Sequence, residues 1–408
     1  MNQFYTAESV TEGHPDKLCD LIADSVLDEC LSHDALSRVA CEVLATRGQI
    51  IVAGEITSLF EPRIPAIARS VLQKAGYDPA RYAIQCLVHK QSPDISAGVD
   101  CSLECRRNPS EDQPALQLGA GDQGVMVGYA CSETPQMMPL PVVLAHRLTS
   151  ALTAARKTGM IRGLRPDGKA QVTVEYDEDE KPLRLDTVVL STQHTPEKPM
   201  DELCWELTDK VLAPALQALP PDEDTKILLN PSGRFVLGGP EADTGLTGRK
   251  LMVDSYGVFA PHGGGAFSGK DPTKMDRSGA YMARYIAKNL VSAGLCEKCQ
   301  VTLAYSRAGH GGGGYLRHRY GLRRRLSGGS GAVCVRVDPS GDHLQTEPFN
   351  TKIHTDSRLW AFRQIGVSMG AHRSGENPAG GCHLTGKEHP HARSKRRTNC
   401  RRPTNDRH

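Results

Sequence analysis

A glycine-rich segment that ends in lysine is the part of this sequence whose residue types point most directly to chemistry. Positions 262–271 read His-Gly-Gly-Gly-Ala-Phe-Ser-Gly-Lys-Asp. Consecutive glycines let the backbone approach a ligand closely, and they expose N–H groups that can hold an anion. Lys270 supplies a counter-charge, Lys274 follows it, and a helix is predicted to begin near Asp276. A glycine loop, a lysine and a helix N-terminus together predict a polyphosphate site.

The spacing Gly264-x-x-x-x-Gly269-Lys270 is close to that of a P-loop. Asp271, however, stands where a P-loop has the Ser or Thr that binds magnesium. Any magnesium must therefore be held elsewhere. A flexible surface loop is the alternative interpretation, because glycine-rich matches often arise by chance.

A second charged motif, His14-Pro15-Asp16-Lys17, opens the first helix that apolar periodicity predicts, at 16–31. Proline near the start and an acidic residue in the first turn are typical of a helix N-terminus. Two interpretations stay open. Either Asp16 caps the helix and His14 is a solvated loop residue, or Asp16 binds a cation while His14 and Lys17 face phosphate groups.

Three other carboxylates are candidate cation ligands. The segment 119–124 matches G-x-G-x-x-G, but a strand rather than a helix is predicted to follow, which excludes a dinucleotide-binding turn. Asp122 within it is a candidate magnesium ligand. Glu42 and Glu55 lie on adjacent predicted strands, where an interior carboxylate needs an ion or an ammonium partner. The alternative is that both face water.

Charged residues also crowd the stretch around the glycine-rich segment. They are Arg234, Asp243, Arg249, Lys250, Lys270 and Lys274. Cations at this density fit a triphosphate, and a solvated charged surface is the alternative.

The composition bounds the class of protein. In 408 residues no apolar run approaches the roughly 20 residues of a membrane span, and the first ten residues have no apolar stretch of the secretory kind. The 13 cysteines follow no disulfide framework, which is typical of reduced cytoplasmic thiols. The lone C-x-x-C at 296–299 has no second pair to complete a zinc site.

An order of hairpin, helix and strand is predicted three times along the chain, which indicates an α+β fold of three similar units. The copies are 38–45 and 50–57 with 63–75 and 82–89; 171–176 and 185–192 with 201–219 and 226–229; and, in part, strand 251–255 with helix 275–293 and strand 300–305. The polar segment 91–117 between the first two units is predicted to be a mobile loop over the site, with a disordered linker as the alternative.

Together these motifs resemble those of the S-adenosylmethionine synthetases (methionine adenosyltransferases) from Phe4 to about Tyr305. The resemblance lies in segments 8–17, 90–95, 119–124 and 262–271. It implies three similar α+β domains with pseudo-threefold symmetry, the third incomplete here. The implied domains are 1–101, which ends in a gating loop at about 91–117, then 112–229 and 230–305.

The resemblance also implies a reaction. Methionine sulfur attacks C5′ of ATP and displaces tripolyphosphate, which is then hydrolysed to pyrophosphate and phosphate. The implied cofactors are Mg²⁺ and K⁺, and the implied ligands are ATP and L-methionine. A cytoplasmic homodimer or homotetramer with active sites between subunits is expected, without a membrane or nucleic-acid partner.

Site residues follow from the same resemblance, position by position. The implied catalytic residues are His14, Lys17, Lys169, Arg249 and Lys270. ATP contacts are implied for His14, Asp167, Gly168, Lys169, Arg234, Phe235, Asp243, Arg249, Lys250, Ala266 and Lys270. Methionine contacts are implied for Glu55, Gln91, Asp243 and Lys274. Asp16 and Asp122 would bind magnesium, and Glu42 would bind potassium.

Residues 306–408 depart from the family. This tail has 16 Arg and 3 Lys against 7 acidic residues and no sustained apolar period, so we expect it to be disordered. A nucleic-acid-binding tail is an alternative, but the segment has few aromatic residues on which bases could stack. A P-loop-like ATPase that acts without methionine is a second alternative for the chain.

We hypothesise that the reading frame slips near residue 306. Back-translated with suitable codons and read one base later, 355–363 gives Thr-Pro-Ala-Tyr-Gly-His-Phe-Gly, which resembles a C-terminal segment of the family. The third domain would then lack its last strand and helices and keep an open, apolar sheet edge, which lowers stability or activity. Sequencing the gene across codon 306 tests the hypothesis, since an intact frame would end it.

Overall fold

The computed structural model describes residues 2–92 and 122–305, together with the backbone of five short strands farther along. Those strands are Leu322–Leu326, Gly329–Val333, Val335–Val337, Leu344–Thr346 and Thr351–Ile353. The first two pair antiparallel, and the last three do so in order. Most of the basic tail, and the predicted gating loop beyond its first two residues, lie outside the described residues, so the expectations for them stay predictions.

Strands and helices of the main described part alternate along the chain. The strands are β1 (Gln3–Val10), β2 (Arg38–Thr46), β3 (Gln49–Thr57), β4 (Ala83–His89), β5 (Gly124–Cys131), β6 (Leu164–Tyr176), β7 (Pro182–His194), β8 (Lys226–Leu229), β9 (Gly245–Leu246) and β10 (Lys298–Tyr305). The helices are α1 (Pro15–His33), α2 (Ile64–Ala75), α3 (Leu140–Lys157), α4 (Met200–Leu207), α5 (Leu251–Asp254) and α6 (Met275–Ser292). A π-helical turn, Thr208–Leu212, and a short helical turn, Ala213–Ala215, extend α4.

The first sheet has the strand order β4-β3-β2-β9, with β2 and β3 antiparallel and β3 and β4 parallel. Leu18, Ile22 and Val26 recur at a spacing of four along α1, and each is fully buried. They pack with the alternate buried residues Val39, Cys41, Val43 and Ala45 of β2 and with the apolar face of α2. Buried residues recur about every four positions on the helix and every two on the strand. This combination is typical of an amphipathic helix that covers one face of a sheet.

The second sheet repeats this plan with the strand order β1-β6-β7-β8. Strands β6 and β7 form the predicted hairpin, and β8 returns parallel to β7 after α4. Helix α3 buries Leu144, Leu148 and Leu152 against Val172 and Val174 of β6. The predicted order of hairpin, helix and strand is therefore confirmed in the first two units.

The third sheet has two described strands, β5 and β10, which pair antiparallel along their whole length. Helix α6 packs on them through Ala283, Ile286 and Leu290. The approach is close at Gly128, where an added Cβ would lie 2.0 Å from the backbone carbon of Ala283. A residue without a side chain is required there because α6 lies directly on the backbone of β5.

Each sheet also takes a strand from a distant part of the chain. Strand β1, which precedes the whole first sheet, pairs with β6 in the second. Strand β5 pairs with β10 in the third sheet, and β9 pairs with β2 in the first. The fold is therefore α+β with repeated sheet-and-helix units, as predicted, but the units exchange strands.

One predicted element is wrong. Residues 251–255 were expected to form a strand, but Leu251–Asp254 is the short helix α5. The Ser255 hydroxyl donates to the carbonyl of Leu251 at 2.7 Å, and the Asp254 N–H donates to the carbonyl of Lys250 at 2.9 Å. These i to i−4 bonds close a helical turn, and a segment of only five residues shows too little periodicity to distinguish such a turn from a strand in advance.

Among the described residues, no helix combines the length and the apolar character needed to cross a membrane.

Leu72 tests the first core. Its side chain is fully buried between α1, α2 and the sheet, so Leu72→Ala should lower the free energy of unfolding by about 2–5 kcal/mol. Leu59→Ala removes the same atoms from a side chain that is 96% exposed and should change it by less than about 0.5 kcal/mol. Chemical denaturation followed by circular dichroism measures both; equal effects would contradict the assignment of Leu72 to the core.

Candidate active site

The site begins at the N-terminus of α1. His14, not Asp16, caps this helix: its Nδ1 accepts the N–H of Asp16 at 3.2 Å, and Pro15 occupies the first turn. A residue that follows α2 holds the preceding loop in place, since the Tyr77 hydroxyl donates to the carbonyl of Gly13 at 2.5 Å. Of the two interpretations of Asp16, the capping one is wrong. Its carboxylate is free to contact another segment of the chain.

Three carboxylates follow one another along a single face of α1, at a spacing of four residues. Asp16, Asp20 and Asp24 are all less than 9% exposed. Each accepts one backbone N–H from a distant loop. The donors are Leu246 to Asp16 at 3.0 Å, Gly248 to Asp20 at 2.9 Å and Gly269 to Asp24 at 3.0 Å. We call this set the α1 carboxylate row.

Each member of the row also meets a cation. Lys250 donates to Asp16 at 2.5 Å, Lys17 lies 3.2 Å from Asp20, and Arg277 donates to Asp24 at 2.7 Å. Buried carboxylates are tolerated only when they are paired and hydrogen-bonded in this way. The α1 carboxylate row therefore holds basic side chains and the backbone of distant segments in place at the same helix.

The turn at 246–250 and the end of the glycine-rich segment are both hydrogen-bonded to the edge of β2 that faces away from β3. Thr247 donates its N–H to the carbonyl of Val43 at 3.0 Å, and its hydroxyl oxygen accepts the N–H of Val43 at 2.8 Å. Farther along β2, Cys41 donates to the carbonyl of Gly269 at 2.9 Å, and Asp271 donates to the carbonyl of Val39 at 3.0 Å. The loop before α5 and the end of the glycine-rich segment thus lie side by side on one strand.

His14 is a neutral base in this setting. The pKa of His14 is lowered to about 4, chiefly by burial and then by the charge of Lys250; Lys169 also lowers it, whereas Asp16 and Asp243 oppose the shift. Four of the predicted site residues therefore act electrostatically on this one imidazole. The neutral ring can donate or accept a hydrogen bond without adding charge.

Asp16 is ionised against a dense positive background. Burial by itself would raise its pKa, but the hydrogen bonds from Lys250 and Leu246 and the charges of Lys250 and Arg249 lower it below its ordinary value. Arg249 is exposed, with Nε 3.7 Å from the carboxylate. Arg249 and Lys250 therefore extend from the row toward solvent, where a ligand can reach them.

Lys17 belongs to a second ion pair, with Asp254 of α5. Burial would lower the pKa of Lys17, but the charges of Asp254 and Asp20 raise it above its ordinary value. By contrast, burial raises the pKa of Asp20, against the charge of Lys17 and the N–H of Gly248. The short helix that the sequence did not predict thus supplies a carboxylate to a predicted catalytic lysine.

The end of the glycine-rich segment is held on two sides. Lys270 donates to Asp276 at 2.6 Å, and Lys274 donates to Asp271 at 2.5 Å. Ala266 packs on the turn at Gly248, where an added Cβ would lie 2.5 Å from the Cβ of Ala266. The glycine segment and the Arg249 turn are therefore in direct contact.

Other residues predicted to contact ATP form an adjoining group. Asp167 is buried on β6 and accepts the N–H of Gly239 at 2.8 Å; burial raises its pKa to about 6. Gly168 accepts the N–H of Thr11 through its carbonyl, and Lys169 pairs with Glu8 at 2.9 Å. This strand therefore runs beside the loop that carries His14.

Phe235 is anchored twice to one histidine. The His194 N–H donates to the carbonyl of Phe235 at 2.9 Å, and His194 Nε2 accepts the N–H of Phe235 at 3.1 Å. Arg234 beside it is exposed. His194, which motif reasoning did not single out, fixes the backbone that presents the two side chains.

Among the described residues, no hydrogen bond or ion pair joins the four residues predicted to contact methionine. Glu55 pairs with His89 at 3.1 Å on the exposed side of the first sheet. Gln91 donates its N–H to the Thr57 hydroxyl at 3.2 Å, while its side-chain oxygen is buried and has no partner among the described residues. Lys274 is engaged by Asp271, and Asp243 is exposed.

The predicted metal ligands do not contact one another either, among the residues that the structure describes. Asp16 is buried in the row, whereas Asp122 is exposed and bonds only the N–H of Gln123 among the described residues. Glu42 lies on the face of the first sheet that points away from α1, and partial burial of its carboxyl raises its pKa against the charge of Lys270. In the part of the chain that the structure describes, no three His, Cys, Asp or Glu side chains are grouped as a metal site.

Even so, Asp16 fits a magnesium ion of the kind that ATP carries. Mg²⁺ is commonly bound by one or two carboxylates together with phosphate oxygens and water. Asp16 offers an ionised carboxylate beside Lys250 and His14. Asp122 does not join it within one chain, although Gly263 packs on Val125, three residues farther along β5.

Comparison with known families agrees with this arrangement. Three models of S-adenosylmethionine synthetase domains match the chain in succession: the N-terminal domain at residues 2–95, the central domain at 117–235 and the C-terminal domain at 237–310. The chain belongs to the S-adenosylmethionine synthetase family. It is a methionine adenosyltransferase, and its reaction is the synthesis of S-adenosylmethionine from ATP and methionine. The family uses metal ions.

A double-mutant cycle tests the α1 carboxylate row at Asp24. Asp24→Asn leaves Arg277, which is 6% exposed, without its counter-charge and should destabilise the protein by about 3–5 kcal/mol. Adding Arg277→Met should recover part of this loss because the unpaired charge is removed. Denaturant unfolding of both single variants and the double variant measures the coupling.

The control is Asp209→Asn, the same change at an exposed position, which should alter the free energy of unfolding by less than about 0.5 kcal/mol. Strictly additive effects of the Asp24 and Arg277 changes would show that the two side chains do not interact.

Proposed function

We propose that this chain displaces intact tripolyphosphate from ATP and then hydrolyses it. In the first step the methionine sulfur forms a bond to C5′ while the C5′–O bond breaks, and the electron pair leaves with the tripolyphosphate oxygen. The thioether becomes a sulfonium and loses no proton, so no general base is needed. The barrier lies in alignment and in the charge that accumulates on the leaving group.

One observation carries the proposal: the α1 carboxylate row gathers the cations that such a leaving group requires. Through it, Lys17, Lys250 and Arg249 lie at the N-terminus of α1, and Lys270 lies on the neighbouring edge of β2. Preorganised cations stabilise developing negative charge because they need no rearrangement during the reaction. A helix N-terminus adds its own preference for an anion.

His14 is proposed to assist the departure of tripolyphosphate. Its position at the start of α1 beside Lys250 and Asp16 supports contact with the leaving group. Because the depressed pKa keeps it neutral at pH 7, it would act as a hydrogen-bond donor rather than as a charge.

The two ends of the substrates are assigned to neighbouring surfaces. Asp167, Gly168, Lys169, Arg234, Phe235, Asp243 and Ala266 are proposed to contact ATP beside the phosphate-binding cations. Glu55, Gln91, Asp243 and Lys274 are proposed to contact methionine. The buried, unpartnered side-chain oxygen of Gln91, assessed over the described residues, supports a polar ligand at that position.

Metal ions complete the proposal. Asp16 and Asp122 would hold magnesium, which supplies further positive charge to the phosphates when it is bound, and Glu42 would hold potassium. Asp16 fits this role by its charge and position, whereas Asp122 would have to approach from elsewhere.

We propose that Asp122 reaches the site from a second copy of the chain in a homodimer or homotetramer. Asp122 is exposed and contacts only Gln123 among the described residues, which supports a site shared between subunits. The exposed face of the first sheet, which carries both Glu42 and Glu55, supports contact with a partner there. A cytoplasmic location is proposed for the assembly.

The tail after residue 305 is proposed to reduce activity or stability. Support comes from the end of the C-terminal family match at residue 310. A frame-corrected chain would then be the more active form.

A product assay tests the function. The purified chain is incubated with ATP, methionine, Mg²⁺ and K⁺, and S-adenosylmethionine, tripolyphosphate, pyrophosphate and phosphate are separated and quantified. We expect S-adenosylmethionine with equimolar pyrophosphate and phosphate, and more of each from the frame-corrected chain. ATP hydrolysis that is independent of methionine would instead support a P-loop-like ATPase.

Lys270 gives a specific prediction. Lys270→Ala should lower kcat by about tenfold or more, because it removes a charge-assisted contact to the leaving group. Lys74→Ala, at an exposed position on α2, is the matched control and should leave kcat unchanged. Steady-state kinetics of both variants measure the effect, and an unchanged kcat for Lys270→Ala would remove this residue from the catalytic set.

A further inference from the structure

His262, at the start of the glycine-rich segment, has a fixed orientation. Its Nδ1 accepts the N–H of Gly264 at 2.8 Å, which closes a short turn. The ring also contacts Phe267, with 5.3 Å between ring centroids. The imidazole is therefore held on one side by the backbone and on one face by an aromatic ring.

The bond from Gly264 determines the tautomer of His262. A neutral imidazole has one nitrogen that accepts and one that donates, so acceptance at Nδ1 places the proton on Nε2. Burial lowers the pKa of His262 below its ordinary value, against the charges of Asp254 and Asp276, which keeps the ring neutral. Nε2 is thus an N–H donor.

That donor nitrogen is buried. Within the described part of the chain, Nε2 of His262 has no hydrogen-bond partner. Leaving such a group unsatisfied costs about 1–3 kcal/mol. The nearby carboxylates are already engaged, Asp254 by Lys17 and Asp276 by Lys270. An acceptor oxygen from a ligand would restore the missing bond.

The surroundings of His262 indicate which ligand. Asp254 and Asp276 both act electrostatically on His262, and each holds one lysine proposed for the leaving group. The Asp276 carboxylate also lies against the glycine loop, where an added Cβ at Gly265 would be 2.0 Å from its oxygen. The loop that His262 opens therefore lies against the carboxylate that holds Lys270, where an anion rich in acceptor oxygens would be bound.

We propose that the Nε2–H of His262 donates a hydrogen bond to a phosphoryl oxygen of the bound polyphosphate, which makes His262 a further substrate-binding residue. This inference rests on the proposed function. His262 adds direction to the two lysines, since a neutral N–H selects one oxygen position whereas an ammonium group attracts any oxygen nearby.

Two substitutions separate the two nitrogens. His262→Asn keeps an acceptor oxygen near the position of Nδ1 and removes the distal donor. His262→Gln places an amide N–H near the position of Nε2 and removes the acceptor for Gly264. If His262 binds phosphate, the Asn variant should lose affinity and the Gln variant should keep most of it. If His262 only closes the loop, the order should be reversed.

The measurement is calorimetric titration of inorganic tripolyphosphate, with Mg²⁺, into the full chain and both variants, together with steady-state KM values. For His262→Asn we expect about a tenfold rise in the Kd for tripolyphosphate and in the KM for ATP, the loss of one hydrogen bond to a charged group. The KM for methionine should change by less than about twofold. For His262→Gln we expect less than about a threefold rise in Kd.

The outcomes are distinguishable. Wild-type chain that does not bind tripolyphosphate would refute the proposed function. Wild-type binding with an unchanged Kd for His262→Asn would overturn the inference alone. If the Asn variant does not fold, the Gln variant decides, since its retained affinity supports the inference and its loss of affinity overturns it.

Discussion

Burial of charge along one helix is the constraint on which the candidate site depends. Asp16, Asp20 and Asp24 are carried into the interior by the same turns of α1 that bury Leu18, Ile22 and Val26, so the helix cannot pack without them. Each carboxylate would be costly there unless it met a cation and a backbone N–H. The backbone N–H groups come from segments more than 200 residues away, the turn at 246–250 and the end of the glycine-rich segment. Stability of the first core and assembly of the phosphate-binding cations are therefore one requirement.

The cations are consequently held in place before any ligand arrives. Lys250, Lys17 and Lys270 each have a carboxylate partner in the free chain, and two of these partners are also fixed to backbone groups or to a neighbouring loop. Ion pairs within the protein reduce the net charge that a polyphosphate meets, but they also remove the freedom that long side chains would otherwise lose on binding. The geometry is typical of a site that stabilises charge by position, as expected for displacement by a neutral thioether.

Many of the helices and strands were predictable from local sequence patterns. The contacts between distant segments were not predictable, and the reason is physical. Periodicity located α1, the hairpin of β2 and β3, and α6 to within two residues, because each has a strong pattern and a clear end. Helix α3 has the same kind of pattern at Leu144, Leu148 and Leu152 and could have been predicted. The hydrogen-bond partners of Asp20 and Asp24 could not have been predicted. Acidic residues at intervals of four do not indicate which distant N–H groups their carboxylates accept. Pairing across more than 200 residues is set by tertiary packing.

The exchange of strands between sheets has a consequence for synthesis of the chain. Strand β1 is among the first segments made, yet its partner β6 begins at Leu164, and β2 waits for Gly245 before its free edge is covered. Strand β5 likewise waits for β10 at 298–305. Contacts this distant in sequence slow folding because long loops must close first. No sheet can be completed on the ribosome until a strand from a later segment emerges, so the nascent chain carries unpaired strand edges through most of translation and depends on protection from aggregation during that time.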